Sequence, residues 1–221
     1  MSDLPRAESR AGSSGDTLLV AGALSGAVFY GLIIGQAVLR PGFDILHHPI
    51  SLLTLGEAGW IQRVAFAVAG LLVLLGVRGM SVSNAGEGAR SRWIPILLSL
   101  FGLGTILAGL FVPDPAFGFP PGTPDVAPAT MSTASIIHGL SFDVAFLALI
   151  VATFVSARGS IREGDRGAAR FSIGLGLVMP IVIVMGFLTP SWMGACFFLA
   201  GALAFVWVTV TFLRARRAVA A

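Results

Sequence analysis

The sequence predicts an all-α polytopic membrane protein, a six-transmembrane-helix bundle with two ordered outer loops. Three observations predict it. Apolar residues make up 56% of the 221-residue chain and charged residues only 11%, whereas a soluble domain normally carries about 25% charged residues. Six stretches are each long and apolar enough for a helix of about 20 residues to cross about 30 Å of hydrocarbon. The basic residues are sorted between alternate connections. A chain of mean hydropathy +0.90 cannot cover itself with ionic surface, so its solvent is lipid. That excludes a nucleic-acid binder despite a pI near 10.4, because the net charge is only +3 and the arginines belong to loops. The single cysteine, Cys196, excludes an internal disulfide and a cysteine-based zinc site.

The elements follow in order. Residues 1–16 are polar and rich in Ser and Gly, and read as a disordered cytoplasmic tail. The transmembrane domain spans 17–213, its helices near 17–39, 59–79, 93–112, 132–156, 171–188 and 192–213, and a basic cytoplasmic tail closes the chain at 214–221. Helices are required because backbone polar groups in lipid must be satisfied within the segment. The first span is longer than the apolar region of a signal peptide (about 7–15 residues), and no small-x-small cleavage site follows it. The second holds Arg63 and Arg78 near its ends, where each can snorkel outward. The fifth is interrupted by Pro180, a kink that neighbouring helices must accommodate. The two halves show no sequence repeat, so an inverted-repeat transporter finds no support.

Arginine sets the orientation. Arg6 and Arg10 precede the first span; Arg78, Arg90 and Arg92 flank the second connection; Arg158, Arg162, Arg166 and Arg170 flank the fourth; Arg214, Arg216 and Arg217 end the chain. Only Arg40 and Arg63 fall on the other side. The positive-inside rule then places both termini in the cytoplasm of a cell membrane, with Trp60 and Trp192 at the outer interface.

Two of the outer connections are unusual. Residues 40–60 are too apolar for a solvated loop and too interrupted for a span. Pro49 suits a helix start, followed by a short turn over 51–55 and a stop at Gly56. That reads as an interfacial or re-entrant segment on the bundle mouth. Residues 112–124 hold five prolines, with Pro128 beyond, and read as a stiff, extended cap.

These loops carry a resemblance. Pro41-Gly-Phe-Asp44, His48-Pro-Ile-Ser51, Leu55-Gly56 and Gly59-Trp-Ile-Gln-Arg63, then Asp114-Pro, Gly118-Phe-Pro-Pro-Gly-Thr-Pro124 and His138-Gly139, resemble a bacterial and archaeal membrane family known as domain of unknown function 998. The likeness covers about 17–213 and departs at Ala65, where the pattern has a polar Asn. It implies a six-helix membrane protein and no particular activity.

The candidate chemistry is concentrated on the outer side: Asp44, His48, Ser51, Arg63, Asp114, His138 and Asp143, read as a polar crater with a hydrophobic floor. His48, Asp114 and His138 are candidate zinc ligands, since imidazole and carboxylate leave an open position for water. Against this, the chain holds no HExxH pair, and adjacent His47 and His48 in an extended stretch point apart. A structural role competes, in which His48 orders its loop and His138 bonds to Ser135 or a neighbouring helix. Ser51 or Ser141 beside a histidine and Asp143 matches no hydrolase template, and no G-x-S-x-G elbow is present. Asp143 lies roughly 16 Å into its span, where a carboxylate costs about 2.5–3.5 kcal/mol unless protonated, paired or facing water. It is expected to form the crater floor. Gly22/Gly26 and Gly31/Gly35 allow close helix approach, expected within the bundle. The leading expectation is a protein that binds a lipid, small ligand or protein partner in the crater without a cofactor. A zinc-dependent lipid hydrolase and a small-solute transporter are the alternatives.

Overall fold

The computed structural model describes residues 4–83 and 92–220, with side chains over 14–83 and 92–218. Arg90 and the extreme residues of both tails lie outside the described residues. Six long helices are present: α1 (Leu4–Leu39), α2 (Gly59–Val82), α3 (Trp93–Leu110), α4 (Thr133–Arg162), α5 (Arg166–Leu188) and α6 (Met193–Ala220). Short 3₁₀ turns at Ile50–Thr54 and Pro190–Trp192 interrupt two connections. Each long helix contains an apolar stretch able to cross a bilayer. The chain is a multi-pass membrane protein whose environment is lipid.

The helices stand in a closed ring. Each packs on its neighbours in sequence, and α6 returns to pack on α1. Polar ties fasten that last seam. The Tyr30 hydroxyl donates to the Phe198 carbonyl at 2.8 Å, and Thr209 Oγ1 donates to the Ala23 carbonyl at 2.9 Å. Trp207, 1% exposed, donates from Nε1 to Ser172 Oγ and joins α6 to α5. Apolar burial drives little association between helices already in lipid, so close van der Waals contact carries the seams. At the α1–α2 seam Gly22 and Gly76 meet backbone to backbone; a Cβ on Gly22 would stand 2.7 Å from the Gly76 Cα. Gly26 likewise faces Phe205 across the α1–α6 seam. Gly31 and Gly35 differ, for a Cβ on either meets nothing within 4 Å, so this second pair faces away from the bundle.

One end of the bundle departs from the expected boundaries. Helix α1 begins at Leu4 rather than at residue 17, so the tail expected to be disordered is helical from there. Tertiary contacts explain the part next to the span: Gly15 packs on Ser83, and Asp16 pairs with Arg216 of α6 at 2.6 Å. At the same end Asp165 caps α5 through Ala168 N–H and pairs with Arg214 at 2.6 Å. Helix α4 runs 30 residues, about 45 Å, so Arg158 and Arg162 ride on its final turns. Helix α5 continues through Pro180 without a break. We call this end, with both termini, the terminal end, and the opposite one the loop end.

Candidate functional site

The first loop closes part of the loop end. Ile50, Leu52, Leu53 and Thr54 of the 3₁₀ turn are buried, so the segment dips into the bundle mouth. Arg40 clamps it by donating to the Leu53 and Leu55 carbonyls, and its guanidinium lies 5.5 Å from the Phe119 ring centroid. His48, 5% exposed, uses both ring nitrogens on backbone. Nδ1 accepts from Asp44 N–H at 2.9 Å, and Nε2 donates to the Phe117 carbonyl at 2.7 Å. Burial pushes this imidazole below its usual pKa range, although the Phe117 carbonyl opposes that shift. His47 spans three connections, with Nε2 2.9 Å from Asp125 and Nδ1 3.2 Å from the Pro190 carbonyl.

The second loop is as ordered as its prolines predict. Ala116 and Phe119 pair across a tight turn, and Phe119 is 1% exposed beneath Phe43 and His48. Asp114 accepts from Ser132 N–H at 2.7 Å, while Ser135 Oγ accepts from Asp114 N–H, so the loop is stitched to the start of α4. The bonds from Ser132 hold the Asp114 carboxyl below the usual carboxylate range.

Under the two loops lies a cavity of about 580 Å³, walled by residues of all six helices. Its wall is mainly apolar, not the polar crater expected. Eight phenylalanine rings run through it in unbroken sequence. Phe66 of α2 meets Phe29 of α1 (centroids 5.0 Å), which meets Phe205 of α6 (5.2 Å) and then Phe101 of α3 (5.4 Å). Phe101 meets Phe146 of α4 (6.4 Å), then come Phe142 (4.4 Å), Phe197 of α6 (5.6 Å) and Phe187 of α5 (5.0 Å). Toward the terminal end the interior is filled by Val73, Leu98, Leu149 and Val208, all 0% exposed. The cavity is therefore blind at its base.

The candidate residues divide around this space. Ser51, Asp114, His138 and Asp143 line it; Asp44, His48 and Arg63 do not. His138, 9% exposed, places Nδ1 3.0 Å from the Ala108 carbonyl and 2.9 Å from the Phe111 carbonyl. Both partners are acceptors, so in the neutral ring Nδ1 carries the hydrogen and Nε2 is left as an acceptor. Asp143 is not the floor. The aromatic rings take that place, and Asp143 is exposed on α4. Arg63 is exposed too, and no ion pair joins it to Asp143. The convergence expected of His48, Asp114 and His138 does not occur, because each is committed to a different backbone network. Among the described residues no three His, Cys, Asp or Glu side chains gather as a metal requires.

Several parts of the site escaped the sequence reading: the aromatic belt, the Arg40 clamp, and an amide pair between α1 and α2. Gln36 Nε2 donates to Gln62 Oε1 at 2.7 Å, leaving Gln36 Oε1 and Gln62 Nε2 buried without partners. Ala65, where the resemblance led to an expected Asn, is 0% exposed in the core and does not line the cavity.

No curated protein and no solved structure matches the chain. The family model described as protein of unknown function (DUF998) matches residues 23–214, which takes in both ordered loops and all or most of each span, and the chain belongs to that family.

Proposed function

We propose that the protein binds a single-chain amphiphile, a lipid or lipid-like small molecule, in the cavity beneath its loops. The observation that carries this reading is the cavity itself: about 580 Å³, blind toward the terminal end and walled chiefly by aromatic and aliphatic side chains. Ligand sites are commonly apolar hollows of about 300–1,000 Å³ with a few placed polar groups. At roughly 30 Å³ per water-sized group, there is room for about twenty non-hydrogen atoms, one alkyl chain with a small head. The asymmetric arginines support a loop end facing outward, with both termini cytoplasmic.

The test is mass spectrometry of protein purified in mild detergent, with the extracted ligand identified. A stoichiometric amphiphile should accompany the native chain and be depleted in Ala145→Phe, whose ring fills space at the cavity wall. Equal retention by both would place the amphiphile on the outer surface and overturn the reading.

A further inference from the structure

We propose, building on the amphiphile reading, that the ligand enters sideways from the bilayer between α4 and α5 and carries a protonated amine head that Asp143 receives. The wall of the cavity comes to the surface at Ala127 and Met131 of the second loop, Asp143 of α4 and Phe187 of α5. Phe187 is 59% exposed although it ends the chain of rings that runs inside. It is the only cavity residue that α5 supplies. Gly139, one turn from Asp143, also lines the space, and a Cβ there would meet nothing within 4 Å. Helices α4 and α5 pack together toward the terminal end, where Gly176 meets Thr153 and Phe154, and the cavity wall reaches the surface nearer the loops, beside exposed Leu140, Val144 and Leu147 of α4. An aqueous ligand has no reason to use an opening set among such residues. An alkyl chain already in the bilayer does.

The polar groups around the opening specify the head. They are chiefly acceptors: the carboxyls of Asp143 and Asp114, and His138, a side chain nine-tenths buried whose Nδ1 is taken by carbonyls at the end of α3, with the Ser51 hydroxyl as a neutral group that can also donate. No arginine lines the cavity, and the chain has no lysine. An anionic head would meet like charge and find no cation. An ammonium brings donor hydrogens and the opposite charge to a carboxyl group otherwise expensive at this depth. Asp143 is the receiving group, since the Asp114 carboxyl already accepts from Ser132 N–H.

The experiment uses the full chain in phosphatidylcholine nanodiscs at pH 7, titrated with dodecylamine, dodecanol or dodecanoate, with empty nanodiscs as blank. Dodecylamine should bind about tenfold tighter than dodecanol, the scale of a charge-assisted hydrogen bond over a neutral one. Dodecanoate should bind weakest. Asp143→Asn should bring dodecylamine down to the dodecanol level and leave dodecanol unchanged. Gly139→Leu, which fills open space, should slow association of all three chains. Equal affinity for amine and alcohol, or an unchanged preference in Asp143→Asn, overturns the head assignment while the cavity reading stands. Unchanged association in Gly139→Leu overturns the sideways route. If none of the three chains binds the native protein, the amphiphile reading itself fails.

Discussion

The imidazole of His48 joins two loops, accepting from Asp44 N–H within its own and donating to the Phe117 carbonyl of the other, 69 residues away, at 2.7 Å. This arrangement needs the neutral ring. Burial holds the His48 pKa below the ordinary histidine value near 6.5, and the sign of the linkage follows. Above about pH 6.5 the folded and unfolded chains are both neutral here, and the contribution of His48 is complete. As pH falls below that value the unfolded chain takes up a proton that the fold resists, so stability is lost until the folded pKa is passed. Asp114, held low by Ser132, adds a second loss at more acid pH, below the ordinary carboxylate value. Thermal unfolding in detergent should therefore show a midpoint that declines between pH 7 and pH 5. His48→Ala should lower the midpoint at pH 8, at an expense of about 1–3 kcal/mol for the lost buried bonds, and flatten that decline. A decline of unchanged slope in His48→Ala would assign it elsewhere.

Helix α6 begins where the first loop touches it. A Cβ on Gly194 would stand 2.5 Å from the carbonyl oxygens of His48 and Ile45, and Ala195 N–H donates to the Leu46 carbonyl at 3.0 Å beside it. Backbone, not flexible side chain, occupies that space, so Gly194→Val should destabilise by about 1–3 kcal/mol or more, as overpacking does. Gly35→Val, facing open space, should shift the midpoint little. Equal effects at the two positions would mean that the loop yields freely.

The Gln36 amide donates to Gln62 Oε1 and to the Leu32 carbonyl, which leaves Gln36 Oε1 and Gln62 Nε2 without partners. Exchanging oxygen and nitrogen in both groups would turn the Gln36 oxygen toward the Leu32 carbonyl and lose that bond. Removing one partner strands the other, at about 1–3 kcal/mol; removing both leaves apolar surfaces that pack. Interhelical bonds of this kind average only about 0.6 kcal/mol in membrane proteins. Gln36→Leu and Gln62→Leu should each destabilise, while the double variant should recover to near the native midpoint. Additive losses in the double-mutant cycle would contradict this account.

The spans, their number and the order of the two loops could be read from the chain because each rests on local runs: twenty apolar residues, a proline series, a helix start at Pro49 with a stop at Gly56. The cavity could not. Its eight rings come from six helices, one or two from each, with no spacing that marks them within any single helix. Phe29 and Phe205 meet only because α6 closes the ring on α1. The polar residues of the loops attracted attention as catalytic types, yet His48 and Arg40 spend their donors on backbone carbonyls, a use that leaves no trace in composition. His138 was legible as a bond to a neighbouring helix but not as a half-used ring, since that depends on the carbonyls of Ala108 and Phe111 lying together at the end of α3.

Access to the loops from outside depends on how the bundle is oriented in the membrane. The terminal end carries Arg78, Arg92, Arg158, Arg162, Arg166, Arg170, Arg214, Arg216 and Arg217, and the loop end carries Arg40 and Arg63. Each positive charge retained on the cytoplasmic side favours one orientation during insertion, so a split this uneven should give a single topology. The reporter positions must not disturb the loops. Gly118 and Gly164 have φ of +81° and +78°, which a cysteine would strain, whereas Val126 is 62% exposed and Arg162 lies on the last turn of α4. In a Cys196→Ala background, Val126→Cys should react with a membrane-impermeant maleimide in intact cells, and Arg162→Cys only after permeabilisation. The reverse pattern would turn the loop end toward the cytoplasm. It would leave the cavity and its sideways opening in place, because neither depends on which leaflet they face. Labelling of both positions in intact cells would mean two insertion orientations, and the arginine argument would then fail for this chain.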